Sequence, residues 1–287
     1  MNKIELKDLF EKYYTQSLNS FGDDYSAIIV VESVKSIIGI NLDKNSDNLI
    51  LWLHNYICNY EDEKFKFSDN SENPPEVISY KNLEFSIIGK DIEKSYRNIS
   101  YLSNVSEGTQ IMEFLLELSL KYSFGAFPLI WSIYRMEMFL SRKFLSNSLQ
   151  VCTKALIDRL SDKIIINNKE VKWKDLLKSH KDIVPLYYNV YKTELIRSEK
   201  INELILSNLN MHKPVSNKDY EYKVLKDQKI MGREWILDYF NNMDIDNINS
   251  QLIIKANNIR SCLKSATEDK EKLILWTELN RCIDAAE

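Results

Sequence analysis

The sequence predicts an all-α protein, mainly a helical bundle, with up to two small β-hairpins. Glycine occurs only six times and proline five times in 287 residues, below the average usage of about 7% and about 5%. Because tight β-turns rely on glycine for positive φ angles, a chain this poor in glycine is expected to consist of helices joined by polar turns. Hydrophobic residues make up 44% and charged residues 28% of the chain. This is ordinary globular usage, so a folded protein is expected.

Three helices are predicted in the N-terminal segment, residues 1–60. The first has apolar residues three and four positions apart and ends near Gly22, as expected for an amphipathic helix. The second runs to about Ile38. Its β-branched stretch 27–31 is also compatible with a buried strand, although a helix is favoured. Ser46 is the candidate N-cap of the third helix.

A linker or loop is predicted over residues 61–75, which are acidic, rich in asparagine and end on two prolines. The main helical domain is predicted over residues 76–287, with one continuous domain that includes 1–60 as the alternative. Residues 77–88 alternate loosely between apolar and polar side chains. This pattern predicts a small β-hairpin.

The most apolar part of the chain predicts a central helix over residues 110–122, whose polar side chains share one narrow stripe. Gly125 is the expected end of this helix, and Pro128 is the expected start of the next. An antiparallel partner helix is therefore predicted over residues 129–145. The two helices would form the nucleus of a bundle.

The C-terminal half also predicts helices. One covers residues 151–160, and a second small hairpin is predicted over 163–173. A long helical stretch is predicted over 185–209, with a break near Ser198 as an open alternative. The last helix is predicted from a capping box at Ser265–Glu268.

Several classes of protein lack support in the sequence. The glycines are scattered singly, so neither a P-loop nor a dinucleotide-binding loop is present. No uncharged run approaches the length of about 20 residues that a membrane-spanning helix needs. The four cysteines form no C-x-x-C pair and the chain starts with charged residues, which predicts free thiols and a cytoplasmic protein. The net charge of −4 argues against a dedicated nucleic-acid binder.

Two places in the sequence carry residues of the kind that bind metal ions. His54 and Cys58 lie four residues apart, a spacing that lets both side chains reach one ion. Two ligands do not make a site, so a structural histidine and a free thiol are favoured. Asp23 and Asp24 are the only adjacent aspartates, and helix capping explains them better than a diphosphate-binding motif. No metal or cofactor is predicted.

Four charged residues in the central helix pair are candidate catalytic residues. Glu113 and Glu117 lie on the polar stripe of the first helix, while Arg135 and Glu137 interrupt the apolar run of the second. A buried charge needs a partner, because leaving it unpaired costs several kcal/mol. The predicted pairing is Arg135 with Glu113 or Glu117. A structural ion pair is favoured over a pocket for acid–base chemistry or anion binding.

A lysine-rich stretch, residues 163–181, is the candidate nucleic-acid surface. Lysines interleaved with aromatic residues can follow a phosphate backbone and stack on bases, although a solvated surface is favoured. The candidate binding residues are Lys172, Trp173, Lys174, Lys178, Tyr187, Tyr188 and Tyr191.

The leading functional hypothesis is a non-catalytic helical protein that binds another macromolecule, such as a toxin-neutralising immunity protein or a phage-defence or regulatory component. It rests on the missing catalytic motifs and on tyrosine and tryptophan side chains that can anchor interfaces. An enzyme with a polar cavity between the two central helices is the first alternative, and a nucleic-acid-associated factor is the second. A protein partner is favoured over nucleic acid, and no membrane partner is expected. Abundant lysine, asparagine and isoleucine indicate an AT-rich genome.

Overall fold

A computed structural model of the chain describes residues 3–19, 26–59, 65–67, 77–161, 184–192, 199–211 and 234–284. Over these ranges the regular structure consists of thirteen α-helices and two short 3₁₀ turns, without a β-strand. The predicted all-α class is therefore confirmed. The predicted hairpin at 163–173 and most of the predicted linker at 61–75 lie outside the described residues.

The chain divides into two compact units, and each is built from separate stretches of sequence. Unit 1 comprises Met1–Glu32, His54–Ile166 and Ser198–Leu204. Unit 2 comprises Ser33–Leu53, Asn167–Arg197 and Ile205–Glu287. The helices Ser26–Ile38, Asp47–Cys58 and Glu199–Met211 each contribute residues to both units.

The first eight helices supply most of the described part of unit 1. They are α1 (Lys3–Asn19), α2 (Ser26–Ile38), α3 (Asp47–Cys58), α4 (Tyr80–Ile88), α5 (Ile92–Val105), α6 (Gly108–Tyr122), α7 (Phe127–Phe139) and α8 (Leu145–Asp158). Helix α8 packs against α1, α4, α5, α6 and α7. The β-branched stretch 27–31 is helical, as favoured by its context, and α3 begins directly after Ser46.

The predicted central helix is confirmed as α6, and its isoleucine, methionine and leucine side chains are almost completely buried. A 3₁₀ turn at Phe124–Ala126 leads into α7, which has a proline in its first turn and packs against α6. The expectation that this second helix continues to Leu145 is wrong. It ends at Phe139, because Ser141 and Arg142 adopt left-handed backbone conformations with φ of 58° and 64° that an α-helix cannot contain.

The predicted hairpin over residues 77–88 is also wrong, because this segment forms helix α4. The Ser79 side chain caps the helix by accepting a hydrogen bond from the Asn82 amide at 3.1 Å. Leu83 and Ile87 are buried on one side of the helix. Apolar residues also occupy the opposite side, so the pattern looks like strand alternation although it winds around a helix.

Unit 2 contains four of the remaining helices, the C-terminal part of a fifth, Glu199–Met211, and a second 3₁₀ turn at Ile245–Asn247. The helices are α9 (Val184–Lys192), α10 (Glu199–Met211), α11 (Glu234–Asn242), α12 (Ser250–Ser265) and α13 (Asp269–Asp284). Helix α12 packs against both α9 and α13. The predicted capping box is wrong in its position, because Ser265 is the last residue of α12 and α13 begins at Asp269.

None of the described helices is long and apolar enough to cross a lipid bilayer. The cysteines at 58, 152 and 262 carry free thiols. In the part of the chain that the structure describes, the fold is therefore held together by packing and hydrogen bonds without a disulfide.

Candidate binding surface

A deeply buried polar cluster in unit 1 joins three helices. It consists of Tyr14 on α1, Glu137 on α7 and Ser148 on α8, and each residue is at most 2% exposed. The Tyr14 hydroxyl lies 3.2 Å from Glu137 Oε1 and 2.8 Å from Ser148 Oγ. Ser148 Oγ donates to the same carboxylate oxygen. Glu137 thus accepts hydrogen bonds from two buried hydroxyl groups, both at its Oε1 atom.

Burial dominates the chemistry of this cluster. Loss of hydration raises the pKa of Glu137, and hydrogen bonds from Ser148, Tyr14 and the Phe144 amide oppose this shift. Burial and the neighbouring carboxylate also raise the pKa of the Cys152 thiol well above its usual value. A substrate would have to displace packed side chains to reach any of these groups. The arrangement therefore supports a structural role for Glu137, in preference to the catalytic role considered from the sequence.

The raised pKa of Glu137 predicts a specific pH dependence of stability. Between 4.5, the ordinary value for this carboxyl, and its raised value, the folded state binds more protons than the unfolded state. The free energy of unfolding should therefore fall as pH rises through this window. In Glu137→Gln this contribution should disappear, which urea denaturation of both proteins between about pH 4 and pH 8 would measure. An identical pH profile for the two proteins would contradict the assignment.

The other candidate catalytic residues have different partners. Arg135 Nε lies 3.1 Å from Oε1 of Glu32 on α2, and the Glu32 side chain is only 3% exposed. Glu117 pairs with Lys121, one turn further along α6. Glu113 is half-buried on the same helix. The partner on α2 was missed from the sequence, and the predicted pairing of Arg135 with Glu113 or Glu117 stays a prediction.

The structure brings His54 and Cys58 together on the exposed end of α3. Cys58 Sγ lies 3.6 Å from His54 Nε2, and the Tyr13 hydroxyl lies 3.3 Å from His54 Nδ1. Within the described ranges no third His, Cys, Asp or Glu completes a group that could hold a metal ion. The adjacent pair Asp23 and Asp24 lies outside the described residues.

The lysine-rich stretch 163–181, with Lys172, Trp173, Lys174 and Lys178, also lies outside the described residues. The three tyrosines assigned to the same surface all belong to α9. Tyr187 and Tyr188 are completely buried there, and the Tyr188 hydroxyl donates to Glu271 Oε2 at 2.8 Å. These two rings cannot stack on bases in this structure, which corrects that expectation. Tyr191 is half-buried.

An exposed apolar surface on and before α4 emerges instead as the candidate site. It comprises Val77, Ile78, Lys81, Phe85 and Ile88, and is called the α4 face below. Val77 and Phe85 are each 60% exposed, and Ile88 is 42% exposed. Lys81, Phe85 and Ile88 lie four and three residues apart, so they share one side of the helix. Lys81 Nζ lies 5.5 Å from the centre of the Phe85 ring, within range of a cation–π interaction.

Side chains beside this surface tie α4 to α5 and α6. Glu84 accepts a hydrogen bond from the Tyr122 hydroxyl at 2.9 Å. Burial, together with the bond to Glu84, raises the pKa of Tyr122 to about 12. The Asn98 carboxamide donates to the Ser86 hydroxyl at 3.3 Å. With α4 anchored in this way, the α4 face is presented on a rigid element.

No protein-family model, curated protein or solved structure matches this chain. The residues of the chain itself are therefore the basis for inferring its function. Every tryptophan and tyrosine whose exposure the structure describes is buried or half-buried, so the exposed aromatic anchor is a phenylalanine. A helical wheel over 80–88 would have shown it, because Phe85 and Ile88 project opposite to Leu83 and Ile87.

Proposed function

We propose that the protein is a non-catalytic helical protein that acts in the cytoplasm by binding a partner protein through the α4 face. The observation that carries the proposal is the exposure of Phe85 and Ile88 on one side of an anchored helix. Contiguous exposed apolar surface on a folded protein commonly marks an interaction site. A toxin-neutralising immunity protein and a phage-defence or regulatory component act through such contacts.

The chemistry of the α4 face indicates what the partner must offer. An apolar helix side is recognised by a hydrophobic groove that takes side chains spaced three and four residues apart. Lys81 adds a positive charge on the same side, so an acidic residue at the rim of that groove would complement it. The proposed partner is therefore a protein with an apolar groove and an acidic rim. Nucleic acid would leave the apolar side chains without a matching surface.

The enzyme alternative has weaker support. Of its candidate residues, Arg135 forms an ion pair with Glu32. Glu137 accepts hydrogen bonds from Tyr14 and Ser148. The carboxylates of Glu32 and Glu137 are nearly inaccessible to solvent. These contacts resemble the structural ion pair and hydrogen-bond cluster that stabilise a core.

A site-specific photocrosslinker at position 85 would test the proposal in cells. We expect it to capture one protein, and Phe85→Ser to weaken binding of that purified protein by about 30-fold, the effect of losing an interface anchor worth about 2 kcal/mol. The matched control is Val105→Ser, which removes a similarly exposed apolar side chain from α5. Thermal stability should be unchanged in both variants, because neither position is buried.

Two results would overturn the proposal. One is an equal loss of affinity in Phe85→Ser and Val105→Ser. The other is a crosslink that joins two copies of this chain, since the α4 face would then serve self-association. Lys81→Glu provides an independent check, because reversing the charge should slow association with an acidic rim and make it less sensitive to salt.

A further inference from the structure

A groove of about 660 Å³ lies on unit 2, formed by α11 and the 3₁₀ turn that follows it. This volume falls within the range of about 300–1,000 Å³ that small-molecule sites occupy. The groove belongs to a different unit from the α4 face and does not depend on the proposed function.

One wall of the groove is aromatic and preformed. Trp235 and Tyr239, one helical turn apart on α11, both line the groove, with ring centres 5.4 Å apart and planes inclined by only 24°. Trp276 of α13 packs edge-on against Trp235 at 5.2 Å. Since Trp276 is buried, it holds the Trp235 ring in place. A ligand therefore meets an aromatic surface that needs no rearrangement.

The charge of the groove is negative. Asp238 and Asp244 are the charged side chains among its described lining residues. Lys44 binds Asp238 with distances of 2.7 and 2.8 Å, but it also contacts Glu234 at 3.3 Å. One ammonium group is thus shared between two carboxylates. Asp244 lies beyond this contact at the start of the 3₁₀ turn, and residues 234–247 contain no lysine or arginine.

The remaining polar groups suit a hydrogen-bond donor. Asn242 and Asn247 line the groove and offer carboxamide oxygens. Aromatic rings beside carboxylates attract cationic groups through both the ring quadrupole and direct charge. An anion would be repelled, and a purely apolar ligand would strip water from the carboxylates without replacing it.

We propose that this groove binds an ammonium or guanidinium group carried on an aliphatic chain. The chain would pack along Trp235 and Tyr239, while the cation would interact with Asp244 and with the part of Asp238 that Lys44 leaves accessible. Such a group occurs in free di- and triamines and in lysine or arginine side chains of peptides. The chemistry is shared, and the test below separates the two sources.

Isothermal titration of the full chain with spermidine, and separately with N-acetyl-arginine methylamide, tests the proposal. We expect saturable binding of at least one probe, weakened by added salt. Asp244→Asn and Trp235→Leu should each reduce the affinity by about tenfold or more. Asp269→Asn is the matched control, because this aspartate of unit 2 is 95% exposed and lies outside the groove. It should bind both probes like the unsubstituted protein.

Binding of spermidine alone would assign the groove to free amines, and binding of the arginine derivative alone would assign it to peptides. The proposal fails if neither probe binds at about 5 mM, if citrate binds as well as the cations, or if Asp244→Asn retains full affinity. The asparagine keeps an oxygen that can accept the hydrogen bond from the Asp246 amide. Asp244→Asn is therefore expected to fold, and its affinity tests the proposal even if Trp235→Leu does not fold.

Discussion

Replacing Glu137 with alanine is expected to lower the free energy of unfolding by about 3 kcal/mol. The substitution leaves a cavity between α7 and α8 and deprives the Ser148 hydroxyl of its acceptor, and each effect costs about 1–3 kcal/mol in a buried site. The hydroxyl groups of Tyr14 and Ser148, whose oxygens are 2.8 Å apart, can still hydrogen-bond to each other, which limits the loss of stability. Urea denaturation followed by circular dichroism measures the change.

Glu137→Gln is the matched control for this substitution. The glutamine fills the same volume and keeps one acceptor oxygen, so its free energy of unfolding at neutral pH should stay within about 1 kcal/mol of the unsubstituted protein. If alanine were tolerated as well as glutamine, the cluster formed with Tyr14 and Ser148 would not contribute to stability, and the case for a catalytic Glu137 would be reopened.

Arg135→Ala should cause a loss of similar size, about 2–3 kcal/mol. It removes a guanidinium contact from the Glu32 carboxylate, which is almost fully buried, and breaking a buried ion pair typically costs about 3–5 kcal/mol. The lower figure reflects the 22% exposure of the Arg135 side chain. Capture of a partner through position 85 should survive, since Arg135 is not part of the α4 face.

A double-mutant cycle that combines Arg135→Ala with Glu32→Gln measures the interaction energy between the two side chains. Neutralising both residues should cost less than the sum of the two single substitutions, because the contact between them is lost in either single variant. Lys154→Ala serves as the comparison, since Lys154 forms an exposed pair with Asp158 on α8. The free energy of unfolding of Lys154→Ala should fall by less than about 1 kcal/mol. Strict additivity at Arg135 and Glu32 would argue against direct coupling.

Helix content was readable from the sequence where the polar side chains are confined to one stripe of the helix, as in α6. Sequence patterns failed where two helix sides carry apolar residues, because the α4 pattern then imitates a strand. They also failed at helix ends that depend on backbone conformation. The left-handed residues Ser141 and Arg142 are not glycines, so nothing in residue type marked the end of α7.

The site was less predictable than the fold, since it depends on long-range contacts. The apolar sequence around Glu137 indicates that its carboxylate needs a hydrogen-bond partner. That Tyr14 is this partner could not be predicted, because 123 positions separate the two residues. The groove, in contrast, has a local pattern in the sequence. Trp235, Asp238 and Tyr239 are spaced three and four residues apart, which places two rings and a carboxylate on one helix side.

The contact between Tyr14 and Glu137 also has a consequence for the order of folding. During synthesis α1 leaves the ribosome long before α7 and α8 exist, so its Tyr14 hydroxyl has no native acceptor until the intervening helices have been made. Docking of α1 then closes a loop of more than a hundred residues, a slow step that depends on distant contacts. Amide protection in α1 should therefore appear late in refolding and report the completed assembly of unit 1.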